Sequence, residues 1–231
     1  MSEPRLITIA IDGFSSSGKS SMARQLAKTI GYRYIDSGAM YRAVTLYAMR
    51  HGMIGPDGTV DVRRLAAALP EIHIDFAVDG GRQSTMLNGE NVEDEIRTMA
   101  VSNNVSPVAA IPEVRHALTA MQQRMGAQKG IVMDGRDIGT TVFPDAEMKV
   151  YVTASPETRA RRRLDELKAK GLDATYEEVL ENVRSRDHID MTRKESPLRK
   201  ADDAYVLDNS VMSIPEQNRW LLDLYNSIVG K

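Results

Sequence analysis

Leu6-Ile7-Thr8-Ile9-Ala10-Ile11-Asp12-Gly13-Phe14-Ser15-Ser16-Ser17-Gly18-Lys19-Ser20-Ser21-Met22 is the stretch on which the fold turns. Its first six residues form a short, largely apolar run that ends at Asp12-Gly13, as a strand buried on both faces does. A glycine- and serine-rich turn follows. Met22, Leu26 and Ile30 then recur at helical spacing up to Gly31, a C-terminal stop. The pattern Gly13-x-x-x-x-Gly18-Lys19-Ser20 therefore lies between a strand and a helix. Its glycines let the backbone curl so that successive N–H groups point inward at phosphate oxygens, and the positive helix N-terminus adds to the field. Lys19 is spaced to reach β- and γ-phosphates, and the Ser20 hydroxyl to bind Mg²⁺. An ordinary strand–turn–helix has no need of that combination. Gly13, Ser15, Ser16, Ser17, Gly18, Lys19, Ser20 and Ser21 are the candidate ATP ligands.

Outward from this loop, strand and helix signals alternate. Tyr32–Ile35 reads as a second strand, and Asp36-Ser37-Gly38 offers an N-cap to a helix with Met40, Ala43, Val44 and Tyr47 on its apolar stripe. Ile131–Met133, Met148–Thr153 and Ala204–Leu207 read as further strands. Helices are expected from Pro112 (Val114, Leu118, Met121 and Met125 inward), at about 156–170, at about 175–191, and after Ser213 and Pro215 (Leu221, Leu224, Tyr225 and Ile228 inward). The region of about 55–100 differs. Ile72, Ile74, Phe76 and Val78 alternate, Asp79-Gly80-Gly81-Arg82 turns, and Thr85 and Leu87 alternate again, which is a β-hairpin signal. The expected fold is an α/β domain of the P-loop NTPase type over residues 1–231. It has a parallel sheet of about five strands flanked by helices, a hairpin-bearing insertion at about 55–100, and an arginine-rich helical lid at about 155–171. Ligands of such sheets lie beyond the strand C-termini.

Bulk composition narrows the function. The 231 residues are 42% hydrophobic and 27% charged with a net charge of −2, so there is no basic field to recruit nucleic acid. Cysteine is absent, which removes disulfides, thiolate metal sites and cysteine nucleophiles. Met1-Ser-Glu-Pro-Arg5 lacks the basic segment and apolar run of a signal peptide, and no apolar stretch approaches the ~18 residues of a membrane span. A cytoplasmic location without membrane or nucleic-acid partners is expected. Nothing in the chain signals an oligomer, and a monomer is the expectation.

Asp134 ends an apolar strand, where a Walker-B carboxylate would hold the metal waters. The guanine-reading sequence Asn-Lys-x-Asp is missing, which argues against a GTPase switch. Several arginines are placed to hold a second anion instead. Arg42 is expected in the first turn of the helix opened by Asp36-Ser37. Arg136 directly follows a buried strand, a costly place for a charge without an anionic partner. In the 175–191 helix Tyr176, Val179, Leu180 and Val183 face inward, and Arg186, Asp190 and Arg193 continue that stripe. In Arg159-Ala-Arg161-Arg162-Arg163 the arginines at 159, 162 and 163 share a face. They form either a solvated surface or a mobile lid that delivers arginine to the transition state. His51, His73, His116 and His188 show no ligand or triad spacing.

Together, Asp12-Gly13…Gly18-Lys19-Ser20, Asp36-Ser37-Gly38-Ala39-Met40-Tyr41-Arg42, Asp134-Gly135-Arg136-Asp137-Ile138-Gly139-Thr140, Val142-Phe143-Pro144-Asp145-Ala146 and Arg186-Asp187-x-x-Asp190-x-x-Arg193 resemble bacterial cytidylate kinases nearly end to end. Phe14-Ser15-Ser16-Ser17 departs from the proline-containing loop of that family, at positions that contribute backbone. The resemblance implies transfer of the ATP γ-phosphoryl to CMP or dCMP, with Mg²⁺ on Ser20 and Asp134. It assigns catalysis to Lys19, Asp134, Arg136 and Arg162. It gives the acceptor phosphate to Arg42, Arg136 and Arg193, the sugar to Arg186 and Asp190 with Ser37, and the base to Ser106, Arg115 and Asp137. Periodicity selects neither of two of these: Arg115 lies at the edge of its helix's apolar face, and Ser106 before Pro107 reads equally as a turn or cap. A kinase for another acceptor such as UMP, and a non-catalytic nucleotide switch, are the competing readings.

Overall fold

The computed structural model describes residues 5–80, 82–169 and 171–230. Residues 1–4 of the N-terminal segment, Gly81 of the expected hairpin turn, Lys170 of the expected lid, and Lys231 lie outside the described residues. The chain divides into two compact units, Met1–Ile35 with Met125–Lys231, and Asp36–Arg124. The first unit opens with β1 (Thr8–Gly13), α1 (Lys19–Ile30) and β2 (Arg33–Asp36). The second contributes α2 (Ser37–Arg50), α3 (Val62–Ala68), β3 (Ile74–Asp79), β4 (Arg82–Leu87), β5 (Glu90–Asn91), α4 (Met99–Ala109) and α5 (Pro112–Gly126). The first then resumes with β6 (Ile131–Gly135), β7 (Met148–Thr153), α6 (Pro156–Ala169), α7 (Tyr176–Thr192), β8 (Tyr205–Asp208) and α8 (Ile214–Val229).

The first unit is built on a five-stranded sheet in the order β2-β6-β1-β7-β8, with β1 parallel to β6 and β7, and β7 parallel to β8. The expected α/β sheet is present. β1 is its central strand and is buried at every residue, which is why its sequence lacks a polar face. Ile7, Ile9 and Ile11 pack with Met22 and Leu26 of α1 and Leu221 and Tyr225 of α8. Thr8, Ala10 and Asp12 point to the opposite, equally buried face. α1 ends at Gly31, whose φ of 73° is left-handed, a conformation that glycine adopts without a Cβ clash. α7 and α8 open on the capping boxes Thr175/Glu178 and Ser213/Glu216.

Where β1 runs into the loop, Gly13 has a φ of 152°, and a Cβ there would lie 2.1 Å from the Val152 carbonyl oxygen of β7. Backbone meets backbone, so nothing can yield cheaply. Gly13→Ala is therefore expected to destabilise the fold by about 3 kcal/mol or more. Thermal unfolding checks this, and a midpoint equal to that of the parent would contradict it.

In the second unit β3 and β4 pair antiparallel from Ile74↔Leu87 to Asp79↔Arg82, the expected hairpin. Ile72, Ile74 and Leu87 are buried, but Val78 is 70% exposed because the alternation outruns the core toward the hairpin tip. Other expectations need correcting too. Arg42 lies in the second turn of α2, because the helix begins already at Ser37. Ser106 is neither a turn nor a cap. It sits inside α4, which carries Pro107 within it and takes Thr98 as its N-cap. Arg115 is not at an edge: it is 2% exposed, and with buried Gln122 it belongs to the inward stripe of α5 beside Val114 and Leu118.

Candidate active site

The loop after β1 carries its polar groups inward. Lys19 is 5% exposed and donates from Nζ to the Phe14 carbonyl at 3.0 Å. Gly18 (φ 82°) and Ser16 (φ 56°) take left-handed backbone, the alternation that turns successive N–H groups into one concavity. The Ser15 and Ser17 hydroxyls are buried without a hydrogen-bond partner among the described residues. At the helix start, Ser20 Oγ donates to Asp134 Oδ2 at 2.7 Å, while the Tyr34 hydroxyl donates to Asp134 Oδ1 at 2.6 Å. β1 and β6 are neighbours with Ile11 opposite Asp134, so the sheet register is what brings the serine and the carboxylate together. Both are hard oxygen donors, the chemistry that Mg²⁺ takes with one or two carboxylates and several waters. Among the described residues there is no group of three or more His, Cys, Asp or Glu that could hold a metal by itself.

Three guanidinium groups gather in the same unit. Arg136 donates from Nε to Asp190 Oδ2 at 2.7 Å. Burial works against its charge, but Asp190 outweighs burial and the Arg136 pKa rises. Burial likewise pushes Asp190 up, yet the Arg136 and Arg193 guanidinium groups pull it below the usual carboxylate range. Arg193 donates to the Ser196 carbonyl at 3.0 and 2.7 Å, approaches Asp190 Oδ1 at 3.4 Å, and lies 3.7 Å from Asp137 Oδ1. Arg186 has no hydrogen bond or ion pair among the described residues, and burial, then Arg136, lower its pKa to about 10. A half-buried guanidinium with no hydrogen-bonded carboxylate among the described residues, next to a second one, is a field set up for an anion. Arg186 and Asp190 thus do not form a solvent pair along the helix.

The arginines of α6 do not share one face or one role. Arg159 is 2% exposed and forks onto Asp187 of α7 at 2.9 and 2.5 Å. It also donates to the Ala154 carbonyl at 2.9 Å and sits 4.8 Å above the Phe14 ring. A helix whose Ala160 and Leu167 pack on Val179 and Val183 of α7 turns Arg159 inward with them, which is why a solvated surface does not describe it. Arg162 reaches the nucleotide loop: it donates to the Asn209 carbonyl at 2.8 Å, to Asn209 Oδ1 at 3.1 Å and to the Ser17 carbonyl at 3.4 Å. Arg163 pairs with Glu166 on the surface.

Two residues of this unit escaped the sequence reading. Asn209 is fully buried and donates from Nδ2 to the Ser17 carbonyl at 2.7 Å and to Gln217 Oε1 at 3.1 Å. Its place just past the C-terminal end of β8, the ligand edge of such a sheet, is the signal that could have found it. Asp12 accepts from the Ile138 and Gly139 N–H groups, each at 2.7 Å. Its burial pushes its pKa up to about 7 against those two hydrogen bonds. An acid inside a strand buried on both faces was the available signal.

The second unit holds the remaining candidates. Asp36 Oδ1 accepts from the Ala39 N–H at 2.9 Å and so caps α2, while its Oδ2 accepts from Arg97 at 2.9 Å. That fixes the start of the helix bearing buried Ser37 and, one turn on, Arg42. Arg42 donates to Ser102 Oγ at 2.9 Å and to the Ile96 carbonyl at 3.3 Å. Arg115 lies 5.4 Å from the Tyr41 ring centroid and donates to the Ala109 carbonyl at 3.1 Å. Ser106 is half-buried on α4. Among the described residues no helix is long and apolar enough to cross a membrane.

A solved chain from Eubacterium ventriosum, described as uncharacterized, shares the fold alone, at a TM-score of 0.51 and 10% identity over 96% of this chain and 99% of that one. The chain is 62% identical to a cytidylate kinase of Bacteroides fragilis over 225 residues, 96% of this chain and 98% of that one. It is 56% identical over 233 residues to a cytidylate kinase of Porphyromonas gingivalis, covering all of both. The family model for cytidylate kinase matches residues 9–226. A phosphate loop with its serine held on Asp134, a guanidinium cluster, and identity of this depth along the whole length lead to one result: the chain belongs to the cytidylate kinase family.

Proposed function

We propose that this chain transfers the γ-phosphoryl of ATP to CMP or dCMP, giving ADP and CDP or dCDP. The observation that carries the reading is the presence, in one unit, of a phosphate loop with Lys19 inside it and of Arg136, Arg186 and Arg193 grouped around Asp190. The attacking oxygen belongs to an already ionised phosphate, so the reaction requires no general base. Positioning and neutralisation of charge suffice. Gly13, Ser15, Ser16, Ser17, Gly18, Lys19, Ser20 and Ser21 hold the ATP phosphates. Ser20 and Asp134 would hold Mg²⁺, which supplies charge neutralisation when bound. Arg162, already on the Ser17 carbonyl, is the α6 arginine that serves the transferring phosphoryl, and residues 155–171 act as the lid.

On the acceptor side Arg42, Arg136 and Arg193 take the phosphate, Arg186, Asp190 and Ser37 the sugar, and Ser106, Arg115 and Asp137 the base. Cytosine presents an amino donor at N4 and acceptors at N3 and O2, which suit a carboxylate and an arginine. Uracil turns an oxygen toward Asp137 and leaves a buried polar group unpaired. The protein acts as a cytoplasmic monomer. ADP release measured across CMP, dCMP, UMP and AMP tests the reading. The expected kcat/KM for CMP exceeds that for UMP by on the order of 100-fold. Equal turnover of UMP or AMP, or ATP binding without transfer to any monophosphate, would refute it.

A further inference from the structure

We infer that Asp12 is a positioning residue for phosphoryl transfer, which acts by holding the segment that carries Arg136 and Asp137. The inference rests on the reading of Arg136 as an acceptor-phosphate ligand. Asp12 is the last residue of β1 before Gly13, and β6 runs beside it with Gly135 opposite. Its carboxylate faces away from the α1 side of the sheet and spans two consecutive amides, Oδ1 taking the Ile138 N–H and Oδ2 the Gly139 N–H. Those amides open a turn of π-helix, Ile138–Val142, that begins directly after Asp137. A π-turn is an uncommon local structure and needs support from outside itself. Here Thr141 and Val142 both donate to the Asp137 carbonyl, and Asp12 anchors the N–H groups at the other side. Gly135, Arg136 and Asp137 are thus clamped between a sheet strand and an anchored turn.

The fit is close. A Cβ on Gly139 would lie 3.3 Å from Asp12 Oδ2 and 3.2 Å from Lys149 Cδ, so a larger residue at 139 would press on the carboxylate and on the Lys149 side chain. The charged and titratable groups around Asp12 are Lys19 from α1, Asp137 from the turn itself, and Tyr151 and Lys149 from β7. None of them donates to Asp12 among the described residues, and the carboxylate serves the two backbone amides. The residue that ends the strand leading into the ATP loop therefore sets the position of the residues that meet the acceptor.

The test is a double-mutant cycle on the full chain. Asp12→Asn keeps one acceptor oxygen and replaces the other with a donor that faces an N–H. It is expected to lower kcat/KM for CMP about ten- to a hundred-fold, the range for losing a hydrogen bond to a charged group. ATP affinity measured without CMP should stay within about two-fold. In an Arg136→Ala background the same substitution should cost at least about three-fold less than in the parent, since one of the two groups it positions is gone. Gly139→Ala disturbs the contact from the other side and should reproduce the selective loss of CMP turnover, so the cycle can be read even where Asp12→Asn folds poorly. An equal factor in both backgrounds, or a parallel loss of ATP affinity through Lys19, overturns the positioning role. If Arg136→Ala by itself leaves CMP turnover intact, the reading of Arg136 falls first and the inference with it.

Discussion

Replacing Arg136 by alanine lowers kcat/KM for CMP by on the order of 10²- to 10³-fold while ATP binding, measured without CMP, is nearly unchanged. The size follows from where the guanidinium stands. It leaves a buried strand end, faces Asp190 at 2.7 Å, and has Arg186 as a like-charged neighbour. Removing it leaves Asp190 to Arg193 alone and takes away one of three positive groups that an acceptor phosphate would meet. A lysine is not an equivalent replacement. Its point charge cannot fork between Asp190 and a phosphate, so Arg136→Lys is expected to recover only part of the loss. Initial rates over a CMP series, beside equilibrium binding of a fluorescent ATP analogue, separate the two terms. If ATP affinity fell as far as CMP efficiency, Arg136 would belong to the nucleotide loop and the assignment would fail.

The second large effect is on Lys19. Lys19→Ala is expected to lower kcat by about 10³-fold, as loss of a group that meets transition-state charge does. The substituted chain should still fold. Lys19 is 5% exposed and its ammonium already rests on the Phe14 carbonyl, so the loop stores a charge at the cost of desolvating it. That cost is justified by an anionic ligand at the loop. Lys19→Arg should not restore the rate, because the planar guanidinium needs more room than the loop leaves around a nearly buried side chain. A variant that kept kcat and lost only ATP affinity would assign Lys19 to ground-state binding.

Much of the site could be read from local patterns. The nucleotide loop is a contiguous motif whose spacing has a mechanical cause, and the stripe of α7 places Arg186, Asp190 and Arg193 by periodicity. Arg159 shows where such reading stops. In sequence it is one of four arginines in five residues, and a solvated face is the natural reading of such a run. Its burial depends on α6 packing against α7, and on Asp187 standing opposite. Asn209 and Asp12 escaped for a related reason. Each acts on a backbone group far away in the chain, and the partner leaves no mark on the residue's own neighbourhood. Phe14 is the reverse case. It departs from the family loop in sequence, and the fold gives its ring a use beneath the Arg159 guanidinium and against Tyr151.

What the sequence determined by itself was whatever depends on neighbours along the chain: strand and helix period, the cap at Asp36, and the phosphate loop with its lysine. The tertiary structure decided which side chains become partners. Ser20 meets Asp134 because β1 lies beside β6, and Asp190 falls to Arg136 rather than to Arg186 four residues before it. The physical reason is that a charge buried with the core must take the partner that sheet register and helix packing set beside it, and neither of those is a local property of the chain.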